Sequence, residues 1–70
     1  PEDVEPLARH FVDRFGAELR SPARRISPDA VRLLQRYPWP GNIRELRNTI
    51  ERAVLLCDGQ EPTPEHLHLD

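Results

Sequence analysis

One arginine lies where a positive charge is unfavourable, which makes it the first candidate for a binding residue. Asn42 and Glu45 have the types and spacing of an N-cap and its capping-box partner, so a helix should begin here with Arg44 at its second position. The amides and dipole of a helix N-terminus already carry partial positive charge, so a cation there costs roughly 0.3–1 kcal/mol. A bound phosphate would remove that cost by accepting from the amides and the guanidinium together.

Arg44 and its neighbour Trp39 also have ordinary structural explanations. Arg44 could pair with Glu45 or Glu51, or extend into solvent as many exposed arginines do. The residues alone leave these explanations and phosphate binding open. Trp39 lies between two prolines and could stack on a base or a partner protein. A large aromatic more often fills the corner of a small core, so we expect Trp39 to be buried.

Other residue types that could do chemistry are few and badly spaced. Cys57 has no second cysteine to pair with, and no spacing resembles a metal site among the three histidines, His10, His66 and His68. There is no lysine, so the chain cannot form a phosphate-binding P-loop. A lone thiol fits a reducing compartment, and no apolar run is long enough to span a bilayer. We therefore expect a soluble, cytoplasmic protein with no metal and no membrane contact.

The charge balance argues against a freestanding nucleic-acid-binding domain. Ten arginines face twelve acidic residues, and the formal net charge is −2. Nucleic-acid-binding domains usually carry a basic footprint, which this composition does not supply.

The spacing of apolar residues predicts an all-α fold, a small helical bundle of three main helices and a short C-terminal helical turn. The first helix should run from about residue 4 to residue 19, with Asp3 as its N-cap. Gly16 should lower the stability of this helix by about 1 kcal/mol relative to alanine. Its apolar face is Val4, Leu7, Ala8, Phe11, Val12, Phe15 and Leu19. The second should begin with Ser27 as cap and Pro28 at the first position, and should end before Pro38. Its buried side is Ala30, Val31, Leu33, Leu34 and Tyr37, with Ile26 and Val31 as a hydrophobic staple.

The third helix should follow a stiff, extended link over residues 38–41. Its apolar stripe is Ile43, Leu46, Ile50, Ala53, Val54 and Cys57, and it should stop at Asp58-Gly59. Thr63 should start the short last turn.

The segment Tyr37-Pro38-Trp39-Pro40-Gly41-Asn42-Ile43-Arg44-Glu45-Leu46 resembles a family signature. The signature is WPGN-[VI]-REL, found in sigma-54-dependent transcription activators, the NtrC-like branch of AAA+ ATPases. Residues 2–11, 26–30 and 51–54 are similar to further family segments in the same order. The resemblance covers nearly the whole chain and implies that residues 1–70 are one AAA+ lid subdomain, a fragment of a larger regulator.

The resemblance also implies a role for particular residues. In the family, the arginine of the signature is sensor II, so Arg44 would reach the γ-phosphate of ATP, beside Asn42 and the amide of Ile43. Val4 would lie at the hinge between subdomains and touch the adenine. The cofactor, Mg-ATP, would bind only in the full AAA+ domain.

The family's catalytic parts are absent from the chain, so no catalytic residue is expected in it. The P-loop, the magnesium-binding acids, the arginine finger and the GAFTGA loop all have no counterpart. The implied partners are the α/β subdomain of the same protein, neighbouring protomers of a ring, and sigma-54 RNA polymerase through the parent protein. Alone, the fragment should not hydrolyse ATP or contact DNA.

Two other functions are compatible with the sequence. The second and third helices could act as a helix-turn-helix that faces a DNA groove with Arg44, Arg47, Asn48 and Arg52. Glu45 and Glu51 among these arginines, and the proline-stiffened link, argue against that interpretation. The chain could also be a plain protein-interaction bundle.

Overall fold

The computed structural model describes residues 4–57, 59 and 61–67, and within those ranges the fold is all-α. Three main helices and one short helix follow each other along the chain: α1 (Val4–Glu18), α2 (Pro28–Arg36), α3 (Asn42–Leu56) and α4 (Pro64–Leu67). No strand occurs in these ranges, so the predicted fold class is confirmed. The predicted cap Asp3 lies outside the described residues.

Helix α1 buries the face that its spacing predicts, except at its end. Its buried side chains include Val4, Ala8, Phe11, Val12 and Phe15. Leu19 was expected to continue this face, but the helix ends at Glu18 and Leu19 is 37% exposed. The chain leaves the helix there through a turn, in which Arg20 has a φ of 56°.

Gly16 allows the segment after α1 to pass directly over the helix. A Cβ on Gly16 would overlap the carbonyl oxygen of Ala23. The Ser21 N–H donates to the Gly16 oxygen at 2.8 Å, and the Arg24 guanidinium donates to the carbonyls of Ser21 and Ala23 at 2.7 and 2.8 Å. The glycine expected to cost about 1 kcal/mol relative to alanine is therefore required by this close approach.

Helix α2 begins and ends through local interactions that the sequence predicts. The Ser27 hydroxyl accepts from the Ala30 N–H at 3.0 Å, and Pro28 is the first helical residue. Ile26 and Val31, the predicted staple pair, are both buried. The helix ends at Arg36, before an extended Tyr37 and Pro38.

Helix α3 is the central helix, and its packed face begins at Leu46. Leu46, Ile50, Ala53 and Val54 are at most 1% exposed, and Cys57 is buried just after the helix. Thr49, which the apolar pattern missed, is buried as well. Ile43 was predicted to belong to this stripe, but it is 46% exposed because it lies in the first turn, ahead of the packed face.

Helices α1 and α4 hold the other two helices together. Each of them packs against both α2 and α3, whereas the backbones of α2 and α3 do not come close to each other in the described ranges. Leu67 of α4 is fully buried, and the His66 ring accepts from the N–H of Thr63 at 2.9 Å. The corner that joins α2 to α3, residues 37–41, is therefore the direct connection between these two helices.

The described ranges contain neither a helix suited to span a membrane nor a cluster of metal ligands. None of the helices there combines the length and apolar character that crossing a membrane requires. No group of three His, Cys, Asp or Glu side chains comes together there as a metal site would need.

Candidate functional site

Trp39 fills the corner between α2 and α3, as predicted. Its side chain is 3% exposed, and its Nε1–H donates to the carbonyl oxygen of Leu34 at 2.7 Å. The Tyr37 ring meets the indole edge to face, with 4.6 Å between ring centroids. Trp39 has a φ of 53°, a left-handed conformation that costs a bulky residue on the order of 1–3 kcal/mol. Burial and the indole hydrogen bond offset this strain.

The segment between the helices turns back on itself, so the prediction of an extended link is wrong. The Asn42 N–H donates to the carbonyl oxygen of Trp39 at 2.8 Å, which closes a turn over residues 39–42. Pro38 and Pro40 flank the tryptophan and fix their own φ angles. The turn accompanies the burial of the Trp39 indole against the end of α2.

The N-cap of α3 is Gly41 rather than Asn42. Gly41 makes no side-chain cap, and the first helical hydrogen bond runs from the Glu45 N–H to the Gly41 oxygen at 3.4 Å. Asn42 already belongs to the first turn and has a φ of 57°, which asparagine tolerates better than most residues. Arg44 is therefore the third residue of α3, not the second as the predicted cap implied.

Glu45 accepts the hydrogen bonds that organise the start of α3. Its Oε1 accepts from the Gly41 N–H at 2.7 Å, and its Oε2 accepts from the Tyr37 hydroxyl at 3.2 Å. The sequence predicted a capping-box glutamate at this position, and the carboxylate does bond the cap residue's amide, although that residue is Gly41. A Cβ on Gly41 would come within 2.7 Å of the Glu45 Cβ, so this arrangement requires glycine.

Arg44 is exposed and has no hydrogen bond or ion pair with any described residue. Three side-chain ion pairs lie on α1 and α2 and do not involve Arg44: Arg9–Glu5, Arg14–Glu18 and Arg32–Asp29. The alternative in which Arg44 pairs with Glu45 or Glu51 is therefore wrong for these ranges. The Glu45 carboxylate faces Gly41 and Tyr37 instead.

The first turn of α3 presents hydrogen-bond donors without acceptors. In the described ranges, the backbone N–H groups of Ile43 and Arg44 donate to no acceptor. An exposed guanidinium beside two such amides at a helix N-terminus can bind a phosphate or a similar anion, because amides, dipole and guanidinium all favour negative charge.

The predicted site residues fall into two groups. Asn42, Ile43 and Arg44 are consecutive, exposed residues of the first turn of α3. Val4 lies apart from them in sequence, at the start of α1, and is 5% exposed within the hydrophobic core. Its contact with adenine stays a prediction. Tyr37 was expected only in the core, and its hydrogen bond to Glu45 had no sequence signal.

The chain is similar to a known family of domains and to several known proteins. The family model of the AAA+ ATPase lid domain matches residues 1–70. The chain is 46% identical over 68 residues to the transcriptional regulatory protein ZraR of Klebsiella oxytoca, covering 97% of this chain and 15% of that protein. It is 46% identical over 66 residues to the alginate biosynthesis transcriptional regulatory protein AlgB of Pseudomonas aeruginosa, covering 94% and 15%. It is 52% identical over 56 residues to the nitrogen fixation protein VnfA of Azotobacter vinelandii, covering 80% and 11%.

The small all-α bundle of the described ranges is the architecture of a helical lid. The chain belongs to the family of AAA+ ATPase lid domains. The resemblance to the lid of sigma-54-dependent activators, drawn from residues 37–46, is thereby confirmed. The chain spans about 15% of the length of the first curated relatives it matches.

Proposed function

We propose that this chain is the nucleotide-sensing lid of a sigma-54-dependent transcription activator, and that Arg44 is its sensor II residue. The observation that carries the proposal is the exposed Arg44 guanidinium, unpaired within the described ranges, beside the unbonded amides of Ile43 and Arg44. These donors suit the γ-phosphate of ATP, which the full AAA+ domain would bind as Mg-ATP. Val4 would contact the adenine from the start of α1.

The mechanism we propose is gating by the γ-phosphate. While ATP is bound, Arg44 and the first amides of α3 hold the phosphate, and the lid stays closed. Loss of the γ-phosphate removes the anion that balanced the charge at the start of α3, so the closed position loses its stabilisation. Because α1 and α4 pack along α3, a rotation of α3 moves the bundle as a unit. Such a two-state element needs only a ligand that binds one state better than the other.

The parent protein would supply everything else that ATP hydrolysis and transcription require. The chain has no lysine for a P-loop, so the catalytic machinery would come from the α/β subdomain and from neighbouring protomers of a ring. The parent would engage sigma-54 RNA polymerase in the cytoplasm, and the lid itself would make no direct DNA contact. ZraR and AlgB carry the description of transcriptional regulatory proteins, which supports this placement.

The test is Arg44→Ala in the full-length ATPase, with steady-state ATP turnover and the ratio of ATP to ADP affinity as measurements. The substitution removes the charge-assisted hydrogen bonds from the guanidinium to the phosphate. Turnover should therefore fall at least about tenfold, and the discrimination between ATP and ADP should decrease.

The matched control is Arg52→Ala, since Arg52 is also exposed on α3 and has no ion pair within the described part of the chain. Arg47→Ala is a less suitable control, because the Arg47 guanidinium lies over the Phe15 ring at 5.6 Å. If Arg44→Ala and Arg52→Ala give the same turnover per folded molecule, the sensor assignment fails.

A further inference from the structure

The carboxylate of Glu45 joins the end of α2 to the start of α3. One oxygen accepts from the N–H of Gly41, the N-cap of α3, at 2.7 Å. The other accepts from the hydroxyl of Tyr37, the C-cap of α2, at 3.2 Å. Both oxygens are therefore engaged, and neither pairs with the neighbouring Arg44.

The backbones of α2 and α3 do not come close to each other in the described ranges, so the two helices are joined by this corner and by the side chains of the common core. Two residues here are in the left-handed region: Trp39 in the corner and Asn42 directly after it, with φ values of 53° and 57°. Such conformations persist only where the surroundings hold them, and Glu45 holds the corner from the α3 side. The Glu45 Cβ lies so close to Gly41 that no residue with a side chain fits at position 41.

Arg44 directly precedes Glu45 in the same helical turn, so whatever fixes Glu45 also fixes the backbone from which Arg44 extends. We infer that Glu45 is a positioning residue for Arg44: by binding Gly41 and Tyr37 it sets the direction of the first turn of α3 and stays away from the guanidinium. This inference rests on the proposed sensor role of Arg44. A carboxylate that paired with Arg44 would compete with phosphate for it, and the two hydrogen bonds prevent that.

The experiment compares Glu45→Ala and Glu45→Gln in the full-length ATPase, with ATP turnover per folded molecule as the measurement. Glu45→Ala releases the corner and should lower turnover about tenfold or more, because small misplacements of a phosphate-binding group carry large losses in rate. Glu45→Gln keeps a carbonyl oxygen for the Gly41 N–H and should restore most of the activity. The inference would be overturned if Glu45→Gln lowered turnover as much as Glu45→Ala does. It would also be overturned if Glu45→Ala kept the turnover of the unsubstituted protein.

A matched control is available on the same helix. Glu51 is also half-buried, and it has no hydrogen bond or ion pair with another side chain in the described ranges. Glu51→Ala should therefore leave turnover unchanged. If it lowers turnover as much as Glu45→Ala does, general loss of a carboxylate from α3 explains the effect and positioning does not.

A double-mutant cycle separates positioning from simple stabilisation. If Glu45 acts through Arg44, Arg44→Ala combined with Glu45→Ala should be no slower than Arg44→Ala alone. If the losses of turnover in the two single variants multiply in the double variant, the inference is overturned. If Arg44→Ala alone keeps full turnover, the proposed function itself fails. If Arg44→Ala is impaired and Glu45→Ala is not, only the positioning role fails.

Tyr37→Phe keeps the test decisive should Glu45→Ala fail to fold. It removes the hydroxyl from one end of the connection and leaves the Gly41 hydrogen bond and the aromatic ring in place. Its turnover should fall below that of the parent protein and respond non-additively with Arg44→Ala. If Tyr37→Phe keeps the turnover of the unsubstituted protein, the positioning role of Glu45 is contradicted. It is also contradicted if the effects of Tyr37→Phe and Arg44→Ala on turnover are independent of each other.

Discussion

Arg44 occupies a position where a binding role and a stabilising role make opposite predictions. As the third residue of α3 it lies within the first turn, where the helix dipole disfavours a cation. Arg44→Ala should therefore leave the isolated chain equally stable or stabilise it by up to about 1 kcal/mol. A thermal melt followed by circular dichroism measures this. A clear drop in melting temperature would mean that the arginine supports the fold.

Gly41 is predicted to be intolerant of a side chain for steric reasons alone. Its φ is −84°, which any residue can adopt, but an added Cβ would come within 2.7 Å of the Glu45 Cβ. Gly41→Ala should destabilise the chain by roughly 1–3 kcal/mol, as other overpacked sites do. Chemical denaturation measures the change.

Gly59 provides the control, because a Cβ there would meet no atom of the described residues within 4 Å. Gly59→Ala should change the free energy of unfolding by less than about 0.5 kcal/mol. Equal losses at both glycines would contradict the crowding at Gly41.

At the scale of the helices, Leu46 and Leu55 test the orientation of α3. Leu46 is fully buried and Leu55 is 63% exposed on the same helix. Leu46→Ala should cost about 2–5 kcal/mol because it leaves a cavity in a small core, and that loss can unfold a domain of this size. Leu55→Ala should stay within about 0.5 kcal/mol. Similar melting temperatures for both variants would mean that the helix is rotated from the described orientation.

The ends of α2 could be predicted from sequence because each depends on neighbouring residues. Ser27 caps through its own hydroxyl, Pro28 supplies a suitable φ at the first position, and Pro38 prevents continuation. The positions of α1 and α3 could also be predicted, because the spacing of their apolar residues indicates which face of each helix is buried.

The start of α3 could not be predicted in the same way because it depends on contacts across the corner. Trp39 takes a left-handed conformation so that its indole reaches the Leu34 carbonyl, and this shifts the cap from Asn42 to Gly41. The spacing of apolar residues predicted that Ile43 lies on the buried face of α3. Spacing alone does not indicate at which turn of a helix the contact with the core begins. Arg44 was found because its unfavourable position depends only on being near a helix N-terminus.

At the scale of the whole molecule, the chain alone should bind ATP with at best a millimolar dissociation constant. The candidate phosphate donors among the described residues are one guanidinium and two backbone amides, too few to offset the cost of ordering a nucleotide. Isothermal titration calorimetry of the isolated chain measures the affinity. A micromolar constant would indicate a complete nucleotide site within these residues.

Duplex DNA should bind weakly and without sequence preference. Arg44, Arg47, Asn48 and Arg52 are all exposed on α3, as the helix-turn-helix alternative requires. The net charge of −2 nevertheless gives little counterion release on binding. Gel-shift titrations at physiological salt test this, with scrambled duplexes as controls. Nanomolar, sequence-specific binding would favour the helix-turn-helix function instead.

The burial of Trp39 gives the chain a built-in optical probe. It is the only tryptophan among the 70 residues, and its indole is shielded from water at the corner beside the single tyrosine, Tyr37. Its fluorescence should therefore be blue-shifted in the folded chain, with Tyr37 passing excitation energy to it. Because this corner leads directly into the first turn of α3, the emission maximum reports on the surroundings of Arg44 without an added label.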